Sequence, residues 1–125
     1  KKNTMALARG NLGNVTVVSA GTSTAVYTVG SAKTAYVKAV LLHNLSQANP
    51  QNVRIHVVPN SGGSAGSATS TTQVARVGVG TDDTFFFEPA YPITLVANGD
   101  TIQVENEGSA ATDALNVIVL GDKEA

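Results

Sequence analysis

The chain has 125 residues, a formal net charge of −1 and no cysteine. A chain of this length suits one domain with its own core, because it can bury roughly two-thirds of its unfolded surface. Charged residues make up only 14%, which excludes a coiled coil, a charged disordered chain and a protein that binds nucleic acid through a dense Lys/Arg surface. The lack of cysteine excludes disulfides, Cys-ligated zinc and a thiol nucleophile. We expect no transmembrane segment and no secretory signal peptide, since no apolar run of either kind is present.

Residues 1–13 are predicted to form an extended basic arm, and residues 14–125 to form the folded domain. The arm carries Lys1, Lys2 and Arg9, three of the eight cationic residues. At most one helical turn is expected in it, before its first glycine. Three charges are too few for tight phosphate binding at physiological salt. The arm is therefore either a solvated tail or a tether to a partner protein.

The rest of the chain has the pattern of an all-β protein. Short segments rich in β-branched and aromatic residues alternate with Gly, Ser, Asn and Pro, as strands alternate with turns. They recur about every ten residues without a convincing helix, which predicts an antiparallel β-sandwich or jelly roll of about eight to nine strands. The predicted strands are 15–18, 24–29, 35–44, 53–58, 72–77, 84–88, 93–96, 102–105 and 114–120.

Two strand pairings are expected from the connections. The segment 53–58 follows 35–44 after a short polar link, and we expect the two to pair. Asn98-Gly99 is the strongest hairpin signal in the chain, because both residues accept the positive φ of a type I′ turn. It predicts that 93–96 pairs with 102–105.

The segments 35–44 and 114–120 are apolar on both faces. Strict alternation places Leu41 and Leu42, for example, on opposite sides of one strand. Strands that are apolar on both faces are buried on both faces. The second cover is either a neighbouring subunit or loops of the same chain.

Residues 59–70 form the one low-complexity segment, rich in Gly and Ser. Alone in solution such a segment is expected to be flexible. Contacts in an assembly are the simplest way to hold it.

The two histidines give no catalytic or metal signature. His43 and His56 lie in strands without the spacing of a metal-binding pair, and no serine lies in a nucleophile elbow. His56 is predicted on the solvent-facing side of its strand, and both are interpreted as solvated or hydrogen-bonded side chains.

The carboxylates are also interpreted as structural. Asp82 and Asp83 are adjacent in a Gly/Thr turn, which favours turn formation over calcium binding because no further ligands of a calcium loop follow. Glu105 and Glu107 share a strand face near Asp113, but a glycosidase pair needs a deep cleft and an acid in an apolar site. The sequence therefore predicts no enzyme, no catalytic residue, no metal and no cofactor.

The few aromatic residues do not form an obvious stacking platform. The chain has three Phe, three Tyr and no Trp. Phe85 and Phe87 are predicted to face the core or an interface, with Phe86 on the other side of the strand.

Four stretches in sequence order carry a family resemblance: VYTVGSAKTAYVKAVLLHN at 26–44, the strand and Gly/Ser loop at 53–66, FFEPAYPITL at 86–95 and ANGDTIQV at 97–104. Their succession resembles that of small virion proteins of tailed bacteriophages and covers about residues 15–120. The resemblance implies a β-sandwich accessory protein of the particle: a capsid cement or decoration protein, or a head- or tail-attached component. It also implies a homotrimer on the capsid surface, bound to the major capsid protein, without direct contact to nucleic acid or membrane. The alternative is a receptor- or glycan-binding module on a tail or fibre.

Within that interpretation we expect the arm 1–13 and the loop 59–71 to contact the capsid. The subunit interface is expected on the second apolar face of the two long strands, at Tyr36, Val40, Leu42, Ile118 and Leu120. The candidate contact residues are Lys1, Lys2, Leu7, Arg9, Leu12, Tyr36, Val40, Leu42, Ile118 and Leu120.

Overall fold

The computed structural model describes residues 7–124, with side chains from residue 10 onward. It is an all-β sandwich of two antiparallel sheets, which confirms the predicted fold class. Within the described residues there is no helix long and apolar enough to cross a membrane. The strands are β1 Leu7–Asn11, β2 Thr16–Val18, β3 Ser23–Thr28, β4 Thr34–Asn44, β5 Gln51–Val58, β6 Gln73–Val79, β7 Thr84–Phe87, β8 Ile93–Val96, β9 Thr101–Asn106 and β10 Leu115–Glu124.

The larger sheet has six strands and the smaller has four. In the six-stranded sheet, β10 and β4 lie at the centre; β1 and β2 pair with β10 along one edge, and β7 and β8 pair with β4 along the other. The four-stranded sheet has the order β3-β9-β5-β6. Alternating Val, Leu and Ile side chains of both sheets fill the space between them, as expected for a sandwich.

Both predicted pairings are wrong, because the chain changes sheet where a hairpin was expected. β4 belongs to the six-stranded sheet and β5 to the four-stranded one. Likewise β8 pairs with β4, whereas β9 lies between β3 and β5. Gly99 does have positive φ, but a Cβ there would lie 2.7 Å from the Ser64 carbonyl carbon. The glycine therefore permits close approach of the loop after β5, instead of closing a two-residue turn.

A β-bulge explains why β4 looks apolar on both faces. Leu120 is opposite Ala39 and Gly121 is opposite Val37, so Lys38 is the extra residue. A bulge shifts the alternation by one residue, which puts Val37 and Leu42 in the core together. Gly121 permits this geometry, since a Cβ at that position would overlap the Tyr36 carbonyl oxygen. Strict alternation along β4 was thus the wrong expectation.

Part of the predicted arm belongs to the sheet. Leu7–Asn11 is β1, which pairs with β10 from Leu7 opposite Glu124 to Asn11 opposite Leu120. The described residues of the arm therefore form a strand and no helical turn. Leu12, next in the chain, is 3% exposed and belongs to the core. Lys1 and Lys2 lie outside the described residues.

Candidate functional site

The outer face of the six-stranded sheet carries a row of apolar side chains, which we call the apolar stripe: Phe86, Leu41, Ile118 and Val15. The register places Leu41 of β4 opposite both Phe86 of β7 and Ile118 of β10. Val15 immediately precedes β2, whose Thr16 pairs with the neighbour of Ile118. Phe86 and Val15, at the two ends, are 55% and 56% exposed, while Leu41 and Ile118 are half-buried. The stripe thus crosses three strands, β7, β4 and β10, and ends at Val15 just before β2, with exposed side chains at both ends.

A shallow groove of about 220 Å³ lies along the stripe on its Val15 side. His43 forms part of its wall and is held by its own chain, because its Nδ1 lies 2.8 Å from the Thr84 hydroxyl and its Nε2 lies 3.4 Å from Asp82. The groove is lined by Val15, Leu41, His43, Asn116, Val117 and Ile118.

The outer face of the four-stranded sheet has the opposite character. Its charged face consists of Arg54, Arg76, Glu105 and Glu107. The Glu107 carboxylate accepts hydrogen bonds from Arg76 Nε at 2.8 Å and from Arg54 Nε at 3.1 Å, and Arg54 Nη1 lies 3.6 Å from Glu105. The hydrogen bond from Arg76, together with the charges of Arg54 and Arg76, holds the pKa of Glu107 below its ordinary value although burial acts against this.

Residues 59–72, the covering loop, lie against this side of the sandwich. The Asn60 backbone and side-chain amides both donate to Asp100 at 2.9 Å, and Gln103 Nε2 donates to the Gly66 carbonyl at 2.9 Å. Burial alone would raise the pKa of Asp100, but hydrogen bonds from Val96 and Asn60 outweigh it and lower that pKa. The Gly/Ser segment is thus held by contacts within its own chain, which is a different explanation from the assembly contacts expected from the sequence.

The covering loop also buries His56, which corrects its predicted exposure to solvent. The side chain does point away from the core, but it is only 2% exposed. His56 Nδ1 lies 2.9 Å from the Thr72 hydroxyl and Nε2 lies 3.2 Å from Glu105. The Thr72 hydroxyl itself donates to the Thr69 carbonyl at 2.9 Å. Hydroxyl, imidazole and carboxylate therefore form a line that ties the loop to the sheet, with the imidazole shielded from any substrate.

Asp83 and Asp113 also have structural partners. Asp83 caps the Thr84 amide at 2.8 Å. Asp113 accepts hydrogen bonds from the Ala110 amide at 3.1 Å and from Asn49 Nδ2 at 3.2 Å, and these contacts lower its pKa. Among the described residues, no three His, Asp or Glu side chains come together in a group that could hold a metal ion.

The candidate contact residues separate into three groups. Val40 and Leu42 have no exposed surface and point into the core, because the bulge reverses their direction; an interface between folded subunits cannot reach them. Tyr36, Ile118 and Leu120 are half-buried. The side chains of Leu7 and Arg9 lie outside the described part, although their backbone belongs to β1.

Sequence reasoning missed Val15 as a surface residue, and it placed Phe86 on the outward side of its strand without naming it as a contact residue. Phe85 and Phe87 pack against the core, as predicted, and Phe86 points outward. Alternation along β7 therefore contained the signal for Phe86. The sequence around Val15 contains no such signal, since the exposure of Val15 depends on where β2 begins.

No protein-family model and no curated protein sequence matches the chain. Among solved structures, it is similar to a virus-like particle of the extra small virus of the giant freshwater prawn Macrobrachium rosenbergii, with 9% identity, a TM-score of 0.42, and coverage of 100% of this chain and 84% of that one. It is also similar to infectious bursal disease virus: the Gt strain at 10% identity and TM-score 0.40, and the Gx strain at 11% and 0.37. These two alignments cover 94% and 97% of this chain. The chain spans only about a third of the length of the two viral chains, 30% and 32%. These likenesses are remote, so the function of this chain has to be inferred from its own residues.

Proposed function

We propose that this protein is a structural component of a virion: a capsid decoration protein that binds the outer shell, bridges capsomers and stabilises the capsid. Its partners would be the major capsid protein and two further copies of itself, without direct contact to nucleic acid or membrane. The observation that carries the proposal is the apolar stripe, an uncharged row on a sheet face that no part of the described chain covers. Burial of such a row contributes about 25 cal/mol per Å², less the entropy lost on association. When many copies bind one capsid lattice, these small free energies of burial add together.

The proposed shell contacts lie on other parts of the molecule. The covering loop is fixed to the four-stranded sheet through Asp100, Gln103 and His56, so it can meet a partner with little further loss of entropy. The arm, residues 1–13, supplies the second contact. Residues 7–12 cannot be removed to test this, because they form β1 and part of the core.

The test compares particles that contain the protein with particles that lack it. We expect particles without the protein to release DNA at lower temperature while adsorbing to cells normally, and added full-length protein to restore heat resistance. Protein that lacks residues 1–6 is added in a parallel experiment and should restore less heat resistance than the full-length protein. Unchanged heat resistance together with lost adsorption would overturn the proposal in favour of the alternative.

That alternative is a receptor- or glycan-binding module on a tail or fibre. It is favoured by two exposed aromatic rings, Phe86 at 55% and Tyr91 at 84%, since exposed rings stack on sugars. Tyr91 lies between Pro89 and Pro92, which stiffen its loop. Loss of cell adsorption in a Tyr91→Ser particle with normal heat resistance would support this function.

A further inference from the structure

We propose that Asn98 is a site of spontaneous deamidation, in which the backbone nitrogen of Gly99 displaces the side-chain amide of Asn98, and that the covering loop slows this reaction. Asn98-Gly99 is the only Asn-Gly pair in the chain. The pair carries a hairpin signal, yet it closes no hairpin, because β8 and β9 lie in different sheets. The reaction belongs to the single chain and is independent of the proposed function.

The reaction consumes only water, and asparagine is among the thermolabile residues of proteins. The Gly99 backbone nitrogen loses its proton to hydroxide and attacks Asn98 Cγ. The new N–Cγ bond closes a cyclic imide, and the Cγ–Nδ2 bond breaks to release ammonia, whose last proton comes from water. Water then opens the imide. Attack at Cγ gives aspartate, and attack at the main-chain carbonyl carbon gives isoaspartate, in which the chain runs through Cβ and Cγ.

The Asn98 side chain is positioned to be attacked. It is exposed, and its Oδ1 accepts a hydrogen bond from the Ala32 amide at 3.2 Å. A donor at this oxygen stabilises the negative charge that develops there as the nitrogen attacks Cγ. The structure gives Asn98 Nδ2 no hydrogen bond to any described residue, so the leaving amide is not held in place.

The residue after Asn98 supplies an unobstructed nucleophile. Glycine has no Cβ beside its backbone nitrogen, whereas every other asparagine of the chain precedes Thr, Leu, Val, Pro, Ser or Glu. Within residues 7–124, the Gly99 amide donates no backbone hydrogen bond. Its nitrogen therefore loses no partner when it attacks.

The covering loop shields this nitrogen in the folded chain. Gly99 is buried although Asn98 is exposed. A Cβ at Gly99 would lie 2.7 Å from the Ser64 carbonyl carbon, so the loop backbone lies directly against Gly99. Asn60 fixes the loop beside it through two hydrogen bonds to Asp100. Hydroxide should thus reach the Gly99 amide chiefly when the loop opens locally, and the folded chain should react more slowly than the unfolded chain.

The isoaspartate product should release the loop. It adds one methylene to the main chain immediately before Gly99, where the Ser64 backbone leaves no spare space. Both products also place a carboxylate close in the chain to Asp100, which anchors Asn60. Aspartate adds this charge but keeps the main-chain length, so it should loosen the loop less than isoaspartate does. Because the ammonia is lost to solvent, a released loop stays released.

Incubation of the full chain at mildly alkaline pH, followed by peptide mass spectrometry and chromatography, tests the site and its shielding. We expect conversion at Asn98 and far less at Asn14, an exposed asparagine that precedes valine. Protein unfolded in guanidinium chloride should convert Asn98 severalfold faster than folded protein. Asn60→Ala, which removes a contact of the loop, should also react faster. Asn14→Ala is the matched control and should convert Asn98 at the wild-type rate.

Hydrogen exchange in residues 59–72 measures release of the loop. It should become faster in aged wild-type protein in proportion to the isoaspartate formed, and it should rise less in fresh Asn98→Asp. Asn98→Gln, whose longer side chain would have to close a larger ring, should show no change after the same incubation. Conversion at Asn98 no greater than at Asn14 overturns the site. Equal rates in folded and unfolded protein overturn the shielding, and unaltered exchange in aged protein overturns the release.

Discussion

The two outer faces of the sandwich differ in their side chains and in what covers them. The four-stranded sheet presents the charged face, and the covering loop buries His56 there. The six-stranded sheet presents the apolar stripe, and no loop is held over it by comparable contacts in the described chain. The outward side chains of a strand therefore do not by themselves show whether a sheet face is accessible: polar His56 is buried, whereas apolar Phe86 is exposed.

The bulge beside Gly121 determines which side chains form the stripe, so its loss should have the largest effect. Gly121→Ala would force a Cβ onto the Tyr36 carbonyl oxygen, and we expect the free energy of unfolding to fall by more than about 2 kcal/mol. Urea denaturation measures this. Gly78→Ala is the control, because its Cβ would meet only an ordinary contact at 3.8 Å. Equal losses of unfolding free energy in both variants would show that the bulge is not the cause of the loss.

Asp100 should have the next largest effect, because it anchors the covering loop. Asp100→Asn keeps the shape but removes an acceptor facing the Asn60 and Val96 amides. We expect a loss of about 1–3 kcal/mol and faster hydrogen exchange in residues 59–72. Asp82→Asn, whose side chain is 65% exposed, should change neither. Unaltered exchange in Asp100→Asn would show that the loop is held elsewhere.

Acid should lower the stability of the folded chain, because three of its carboxylates have lowered pKa values. The pKa values of Glu107, Asp100 and Asp113 are lowered in the folded chain from ordinary values of 4.5, 3.8 and 3.8. A lowered folded pKa stabilises the protein above the unfolded value, and the stabilisation is lost as pH falls through the folded value. The urea midpoint should therefore drop between about pH 6 and about pH 3. A midpoint that stays constant or rises would contradict these assignments.

Glu107 itself should contribute little at neutral pH. Its partners Arg54 and Arg76 are 38% and 49% exposed, so solvent screens the pairs. We expect Glu107→Gln to cost under about 1 kcal/mol, with most of that effect abolished by high salt. A large cost that salt leaves unchanged would mean that packing, not charge, dominates on this face.

The smallest effect on the stability of the single chain is expected at the stripe. Phe86→Ser removes a ring that is 55% exposed and should shift the unfolding free energy of the monomer by about 0.5 kcal/mol or less. Tyr91→Ser should do the same. Chemical denaturation at a concentration below that of assembly checks both, and a loss of several kcal/mol at Phe86 alone would show that it belongs to the core.

Much of the fold could be predicted from the sequence, because strands are recognisable from local composition and alternation. The segments at 84–88 and 93–96 differ from β7 and β8 by at most one residue. Sheet membership could not be predicted, since Asn98-Gly99 carries a hairpin signal that close contact with Ser64 overrides. The bulge at Lys38 was also invisible, because it depends on the approach of two strands far apart in sequence.

The candidate site was predictable only in part for the same reason. Alternation placed Phe86 opposite to Phe85, but nothing local shows that Leu41 rather than Leu42 faces outward. His56 was placed on the correct side of its strand, while its burial depends on a loop 16 residues away at Thr72. Contacts between residues far apart in sequence determine which of these side chains are exposed, and those contacts cannot be recognised from local sequence patterns.

Hydroxyl-radical footprinting of Phe86 and Tyr91 shows whether the apolar stripe is a contact surface, because both are exposed aromatic rings of one chain and only Phe86 lies on the stripe. The measurement compares dilute protein with assembled protein on particles. We expect labelling of Phe86 to fall strongly on assembly while labelling of Tyr91 changes little. Equal labelling of Phe86 in both states, or protection of Tyr91 alone, would contradict it.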